Sequence, residues 1–209
     1  MRHAVFATLG WLIMTTTALA QDRMPPIPVD QQNPAQKEAS AAFLAARRSP
    51  VFGPFTPLLR SPELMTSART MGDYLRYRSS LPPRLSEFAI LIVARQWNQP
   101  VEWEIHQPIA LTNGVPSKVT EELGAGKRPT GMSAEEALVY DFLTELDRDK
   151  GVADATYERT KKAFGEQGVI DLTGIAGYYT LLAMTMNVAR TPTSSATPAK
   201  MADLPKRKP

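Results

Sequence analysis

Residues 88–94 read Phe-Ala-Ile-Leu-Ile-Val-Ala, with a proline pair just upstream at Pro82–Pro83. A helix over this run is apolar on every side, so it belongs deep inside the molecule. The rest of the chain is patterned to match. Residues 37–48 are good helix formers. Residues 61–78 open with Ser61 in the cap position, Pro62 at the first helical position and Glu63 in the first turn, and their apolar Leu64, Ala68, Met71 and Leu75 fall on one helical face. Residues 133–149 begin with Ser133 and Glu136 at capping-box spacing. Helical segments follow at 154–165 and 169–190. No stretch alternates as a half-buried strand does, so the class is all-α, with no internal repeat.

The ends differ in character. Arg2 and His3, a short apolar run at 4–14 and the Ala-Leu-Ala triplet before Gln21 form a secretory signal pattern with cleavage after Ala20. The expected product is exported, periplasmic or secreted. Residues 21–36 are polar and proline-rich and read as a flexible leader. Residues 191–209, rich in Thr, Ser, Pro and Lys, read as a disordered tail. The folded domain is expected over 37–190.

Residues 172–189 carry no charge, yet two glycines, three threonines, two tyrosines and an asparagine interrupt them. A buried helix in the domain or at a subunit interface is the expectation, with no membrane span in the mature chain.

The chain has no cysteine, which excludes thiol peroxidase, thiol protease and disulfide-exchange chemistry. Its 24 Lys and Arg against 21 Asp and Glu, net +3, describe a mixed solvated surface rather than a nucleic-acid footprint.

Once a signal segment is removed, His106 is the only imidazole left. It lies in "VEWEIHQPIALTNGV", residues 101–115, whose helix starts at Pro100 behind a Gln99 cap. Glu102, four residues before His106, shares its face and is also placed to reach back to the cap. Glu87 borders the apolar run of the preceding helix, where an unpartnered carboxylate is costly. The short turn at Asn98–Gln99 makes the two helices an antiparallel hairpin, which brings Glu87 and His106 to similar depth. Three readings remain open. Glu102 caps the helix and His106 is a structural histidine; or the two are metal ligands, which would need further carboxylates; or they are an acid–base unit, a histidine oriented by carboxylates.

The segment 81–116, "LPPRLSEFAILIVARQWNQPVEWEIHQPIALTNGVP", resembles the carboxymuconolactone decarboxylase and alkylhydroperoxidase D superfamily, in its Arg-x-x-Glu helix and its Glu-Trp-x-x-His segment. The resemblance extends over about 52–190. It implies a helical alkylhydroperoxidase D-like domain that assembles as a trimer or hexamer. Glu87 and His106 fall at the glutamate and histidine of the peroxidase proton relay, while Gln99 and Glu102 occupy its two cysteine positions. The Glu-Trp-x-x-His form is that of the decarboxylase branch. The chain departs from the pattern at Val101, where tyrosine is usual, and at Gln96, where histidine is common.

The expectation is therefore cofactor-free decarboxylation of a small carboxylated lactone or related acid. His106 would donate the proton, Glu87 would orient it and Glu102 would complete the pocket. Arg84 or Arg95 would hold the substrate carboxylate, and Tyr178, Tyr179 and Asn187 are further pocket candidates. The alternatives are a non-catalytic periplasmic binding or structural oligomer that keeps the fold, or lactone hydrolase or isomerase chemistry.

Overall fold

A computed structural model describes residues 22–193. Among them are eight α-helices, a single 3-10 turn at Val29–Gln31 and no strand. The helices are α1 (Pro34–Arg47), α2 (Phe55–Leu58), α3 (Pro62–Tyr77), α4 (Pro83–Gln96), α5 (Pro100–Thr112), α6 (Ser117–Gly124), α7 (Ala134–Asp149) and α8 (Asp154–Ala189). The expected signal segment and nearly all of the expected tail lie outside the described residues.

α4 is the axis of the molecule. Every residue from Leu85 to Arg95 is buried, because α5, α7 and α8 pack around it, with α3 and α6 adding smaller contacts. This is what the all-round apolar run requires. Each large aliphatic or aromatic side chain buried here stabilises the fold by ~1.5–3 kcal/mol. Ser86, Glu87 and Arg95 are buried in the same helix and must find polar partners inside.

Local chemistry sets the helix ends. Gln99 caps α5 by accepting the Val101 N–H at 2.7 Å, and Ser133 and Glu136 form a reciprocal box at the start of α7. Three expectations are revised. α1 starts at Pro34 rather than near Lys37, because Asn33 and Gln36 form a capping box around an N-terminal proline. Ser61 holds the cap position of α3, but its side chain makes no capping bond. The buried face of α3 is Met65, Ala68, Gly72 and Leu75, whereas Leu64 and Met71 are 44% and 45% exposed. The face is rotated because α3 presents a glycine to α8: a Cβ on Gly72 would lie 2.2 Å from the Tyr178 hydroxyl.

The leader is also revised. Its Arg23 N–H donates to the Ala189 carbonyl at 2.8 Å, and Arg60 donates to the carbonyls of Pro25 at 2.8 Å and Met24 at 3.3 Å. These bonds tie residues 23–25 to the end of α8 and to the loop after α2, so the segment is held against the domain rather than loose.

The two last expected helices run on as α8, with Gly165 breaking the helical geometry (φ 72°, ψ 175°). Beyond this break α8 buries Leu172, Ile175, Tyr178, Tyr179, Leu182, Ala183, Met186 and Ala189. Its other side leaves Ile170, Met184 and Val188 exposed. By length and composition alone α8 could cross a membrane, and half of its most apolar window is buried in the domain. Asp171 fastens α8 to the turn after α3. It accepts the Ser80 N–H and hydroxyl, each at 2.8 Å, and the Tyr74 hydroxyl at 2.9 Å.

Candidate active site

The α4–α5 hairpin turns at Asn98, which has a left-handed backbone (φ 49°). The hairpin brings Glu87 and His106 into contact: His106 Nδ1 lies 2.7 Å from Glu87 Oε2. One helical turn before His106, Glu102 places Oε2 3.4 Å from His106 Nε2, too long for a tight hydrogen bond but close for an ion pair. Glu102 does not reach back to the cap. Glu87, Glu102 and His106 are only 6%, 2% and 4% exposed. The imidazole is thus clamped between two buried carboxyl groups, one from each arm of the hairpin.

Two elements close the cluster. Tyr179 of α8 sets its ring edge-on to His106, centroids 5.2 Å apart, and Tyr178 packs edge-on to Tyr179 at 5.1 Å. Burial raises the pKa of both phenols far above the ordinary tyrosine value, so they stay neutral hydroxyls. From the last turn of α3, Arg76 brings Nη2 to 3.8 Å from Glu87 Oε1. Arg76 was missed in the sequence. The signal that points to it is its spacing of four from Gly72, the small residue that lets Tyr178 approach α3.

Burial pushes the Glu102 carboxyl up to about 7; His106 and Arg76 pull it back and Glu87 raises it further. This matches the bonding logic of the ring. A neutral imidazole has one donor and one acceptor nitrogen. With Nδ1–H donating to Glu87, Nε2 is an acceptor facing Glu102, and a protonated Glu102 suits it. Glu102 therefore stays protonated well above the ordinary carboxylate range. Glu102 shares one feature with Arg76: Glu102 Oε1 and Arg76 Nε are buried and have no hydrogen-bond partner among the described residues. Buried polar atoms of native sites are nearly always satisfied, so unsatisfied ones call for an explanation.

The other expected residues are placed elsewhere. Arg84 Nη1 is bonded to Glu136 at 2.7 Å and Nη2 to Glu135 at 2.8 Å, so its charge is committed to α7. Arg95 follows Glu87 along α4 by about 12 Å, at ~1.5 Å per residue, and lines a different cavity. Asn187 accepts the Gln99 Nε2–H at 2.8 Å and donates to the Trp97 carbonyl at 3.1 Å, which pins the hairpin turn. Gln96 donates to the Leu143 carbonyl at 3.0 Å, toward α7. Among the described residues no group of three or more His, Cys, Asp or Glu is arranged to hold a metal ion.

No protein-family profile matches the chain, and no curated protein sequence matches it. Solved structures do. An uncharacterized peroxidase-related protein from Silicibacter sp. TM1040 superposes with a TM-score of 0.71 at 14% identity, covering 89% of this chain and 99% of that one. An uncharacterized peroxidase-related protein from Ralstonia eutropha JMP134, described as an alkylhydroperoxidase AhpD core, superposes with a TM-score of 0.69 at 12% identity, covering 85% of this chain and 95% of that one. At such identities the likeness speaks for the fold and not for the reaction. The chain has the alkylhydroperoxidase D-like all-helical fold.

Proposed function

We propose that this protein is an exported, decarboxylase-like enzyme that removes carbon dioxide from a small carboxylated lactone or related acid without a cofactor. In that reaction the C–C bond to the carboxylate breaks and its electron pair passes into a conjugated carbonyl, giving a dienolate. A proton delivered to carbon then completes the product. The protein's task is to hold the anion and supply that proton.

The observation that carries this reading is the carboxyl–imidazole–carboxyl chain Glu87–His106–Glu102, which ends in an unpartnered carboxyl oxygen. Both nitrogens of His106 face carboxyl groups, which favours His106 as the group that orients Glu102, and Glu102 as the group that meets substrate. Glu102 would give its proton to carbon and recover one from solvent, while Glu87 holds Nδ1 and so the ring orientation. A general acid works best with a pKa near the working pH, and Glu102 has one. Arg76 replaces Arg84 and Arg95 as the candidate anchor for a substrate carboxylate. Its Nε still seeks an acceptor, and a guanidinium binds carboxylates with two parallel hydrogen bonds.

A second reading is favoured by the depth of the cluster: the same three side chains would serve as a buried polar network in a non-catalytic oligomer. The exposed apolar residues Leu64, Met71, Ile170, Met184 and Val188 suit subunit contacts under either reading. Incubation with a panel of carboxylated lactones separates the two. Released carbon dioxide and loss of conjugated absorbance support the enzyme; inertness toward the whole panel supports the structural role.

A further inference from the structure

Arg47 is the last residue of α1, and its Nε joins Arg76 Nε and Glu102 Oε1 among the buried polar atoms with no hydrogen-bond partner in the described residues. The charges of both arginines are paired. Arg47 Nη2 lies 2.7 Å from Asp73 Oδ1, and Arg76 Nη2 lies 3.8 Å from Glu87 Oε1. What each guanidinium leaves unused is a directional donor, its Nε–H. A buried donor without an acceptor is costly, so two of them call for an occupant.

The two guanidiniums converge on one end of α3. Their central carbons lie 5.8 Å (Arg47) and 5.3 Å (Arg76) from the centre of the Tyr77 ring. Asp73 stands one turn before Tyr77 on the same helical face, and Arg47 also packs over Phe55 at 5.8 Å. Arg47 is therefore fixed by a carboxylate and two rings before any ligand arrives. Burial keeps the Tyr178 phenol neutral, and the ionisable groups near enough to act on it are Arg47, Glu102, Arg76 and Asp73. All three atoms without a partner thus belong to side chains gathered around Tyr178. Side-chain exposure rises from 3% at Glu102 to 10% and 19% at Arg47 and Arg76, and Tyr77 is 64% exposed. The arginine pair lies on the solvent side of the Glu102 cluster.

Building on the Arg76 anchor of the proposed function, we propose that Arg47 is a second binding residue of the same site, and that the Nε–H groups of Arg47 and Arg76 grip one carboxylate of a small organic acid, one oxygen each. Asp73 and Glu87 hold the two guanidiniums through their Nη atoms, which leaves each Nε–H for the ligand. A carboxylate presents an acceptor oxygen to each donor. The isosteric amide presents one acceptor, and its NH2 would face the second donor unpaired. The pair therefore selects an acid over its amide, and it does so by hydrogen-bond direction as well as by charge.

The test is NMR of the arginine Nε–H signals in the nitrogen-labelled full chain, titrated with benzoate and with benzamide. Benzoate is expected to move the Arg47 and Arg76 Nε–H signals downfield together, with one shared Kd, and benzamide to move neither. Arg47→Lys keeps a cation beside Asp73 but removes the Nε–H, and lysine does not reproduce the fork of an arginine. It is expected to bind benzoate at least ~10-fold more weakly, the loss of one charge-assisted hydrogen bond, with little change in Tm. If Arg47→Lys does not fold, the wild-type titration alone decides. An Arg47 signal that does not respond overturns the proposal, as do different affinities at the two arginines, equal responses to benzoate and benzamide, or unchanged benzoate affinity in folded Arg47→Lys. Two signals that respond in a protein inert toward every lactone support the carboxylate grip and remove only the decarboxylation.

Discussion

Glu87 and His106 meet across the α4–α5 hairpin at 2.7 Å, although one belongs to the most buried helix of the molecule and the other to the helix that follows it. Their contact settles which way the imidazole faces. Nδ1 is taken by Glu87, so Nε2 is directed at Glu102, and the state of Glu102 sets the chemistry of the cluster.

That state has a consequence for stability. The folded-state pKa of Glu102 is about 7 against an ordinary 4.5, so the fold prefers the neutral acid. The resulting penalty is absent below the ordinary value, grows as pH rises through this window and is fully present above it. Its upper bound is on the order of 3 kcal/mol, at ~1.4 kcal/mol per pKa unit. Glu102→Gln, which cannot ionise, is expected to flatten the fall in stability between pH 5 and 8 and to be the more stable protein at pH 8. Urea unfolding across that range checks this. Parallel pH profiles for the two proteins would show that Glu102 ionises freely.

Gly72 predicts a structural coupling. A Cβ there collides with the Tyr178 phenol, and Tyr178 supports Tyr179, which lies against His106. Gly72→Ala raises intrinsic helix propensity by ~1 kcal/mol but overpacks the α3–α8 contact, a change that typically costs ~1–3 kcal/mol. Net destabilisation is expected, with a shifted His106 ring resonance. Higher thermal stability with an unchanged His106 signal would contradict the packing account.

Asp171 gives a prediction of opposite sign to Glu102. Burial pushes its carboxyl up, but bonds from the Ser80 N–H and hydroxyl and the Tyr74 hydroxyl outweigh this and hold it below its ordinary value. The stability it contributes is present above the ordinary carboxylate range and is lost as pH falls through the lower folded-state value. Asp171→Asn is expected to cost ~1–3 kcal/mol at pH 7, the cost of weakening bonds to a buried charge, and to lessen the loss of stability in acid. Equal acid sensitivity in both proteins would rule Asp171 out as its source.

The exposed apolar side chains on α3 and α8 predict self-association. Sedimentation at micromolar concentration is expected to show a closed homo-oligomer, and a charge at Val188 or Ile170 is expected to shift it toward smaller species. A monomer throughout would leave those faces without a subunit role.

How much of this was legible in the sequence follows from the range of each interaction. α4, α5 and α7 were legible because their signals are local: an all-round apolar run, prolines at first positions, a Ser133–Glu136 box. The Glu87–His106–Glu102 grouping was legible because a short turn and an i, i+4 spacing constrain it. Arg76 was not, since it arrives through the docking of α3 on α8. There Gly72 turns the buried face away from the one that Leu64 and Met71 suggest. Arg84 and Arg95 are close to Glu87 in sequence, but helix geometry points one at α7 and carries the other into a separate cavity. The leader's hold on the domain depends on Arg60 and Ala189, partners far along the chain that composition does not reveal.

The measurement that tests the central claim most directly is turnover of a carboxylated lactone, found by the panel assay, in wild type, His106→Gln and Glu102→Gln. Circular dichroism and thermal unfolding on the same samples establish that each is folded. Positioned proton transfer contributes ~100- to 10,000-fold in rate. The account predicts carbon dioxide release by the wild type and a loss of at least ~100-fold in both variants, with helical content retained. A variant that stays folded and turns over like the wild type, or a wild type inert toward every lactone, would contradict it.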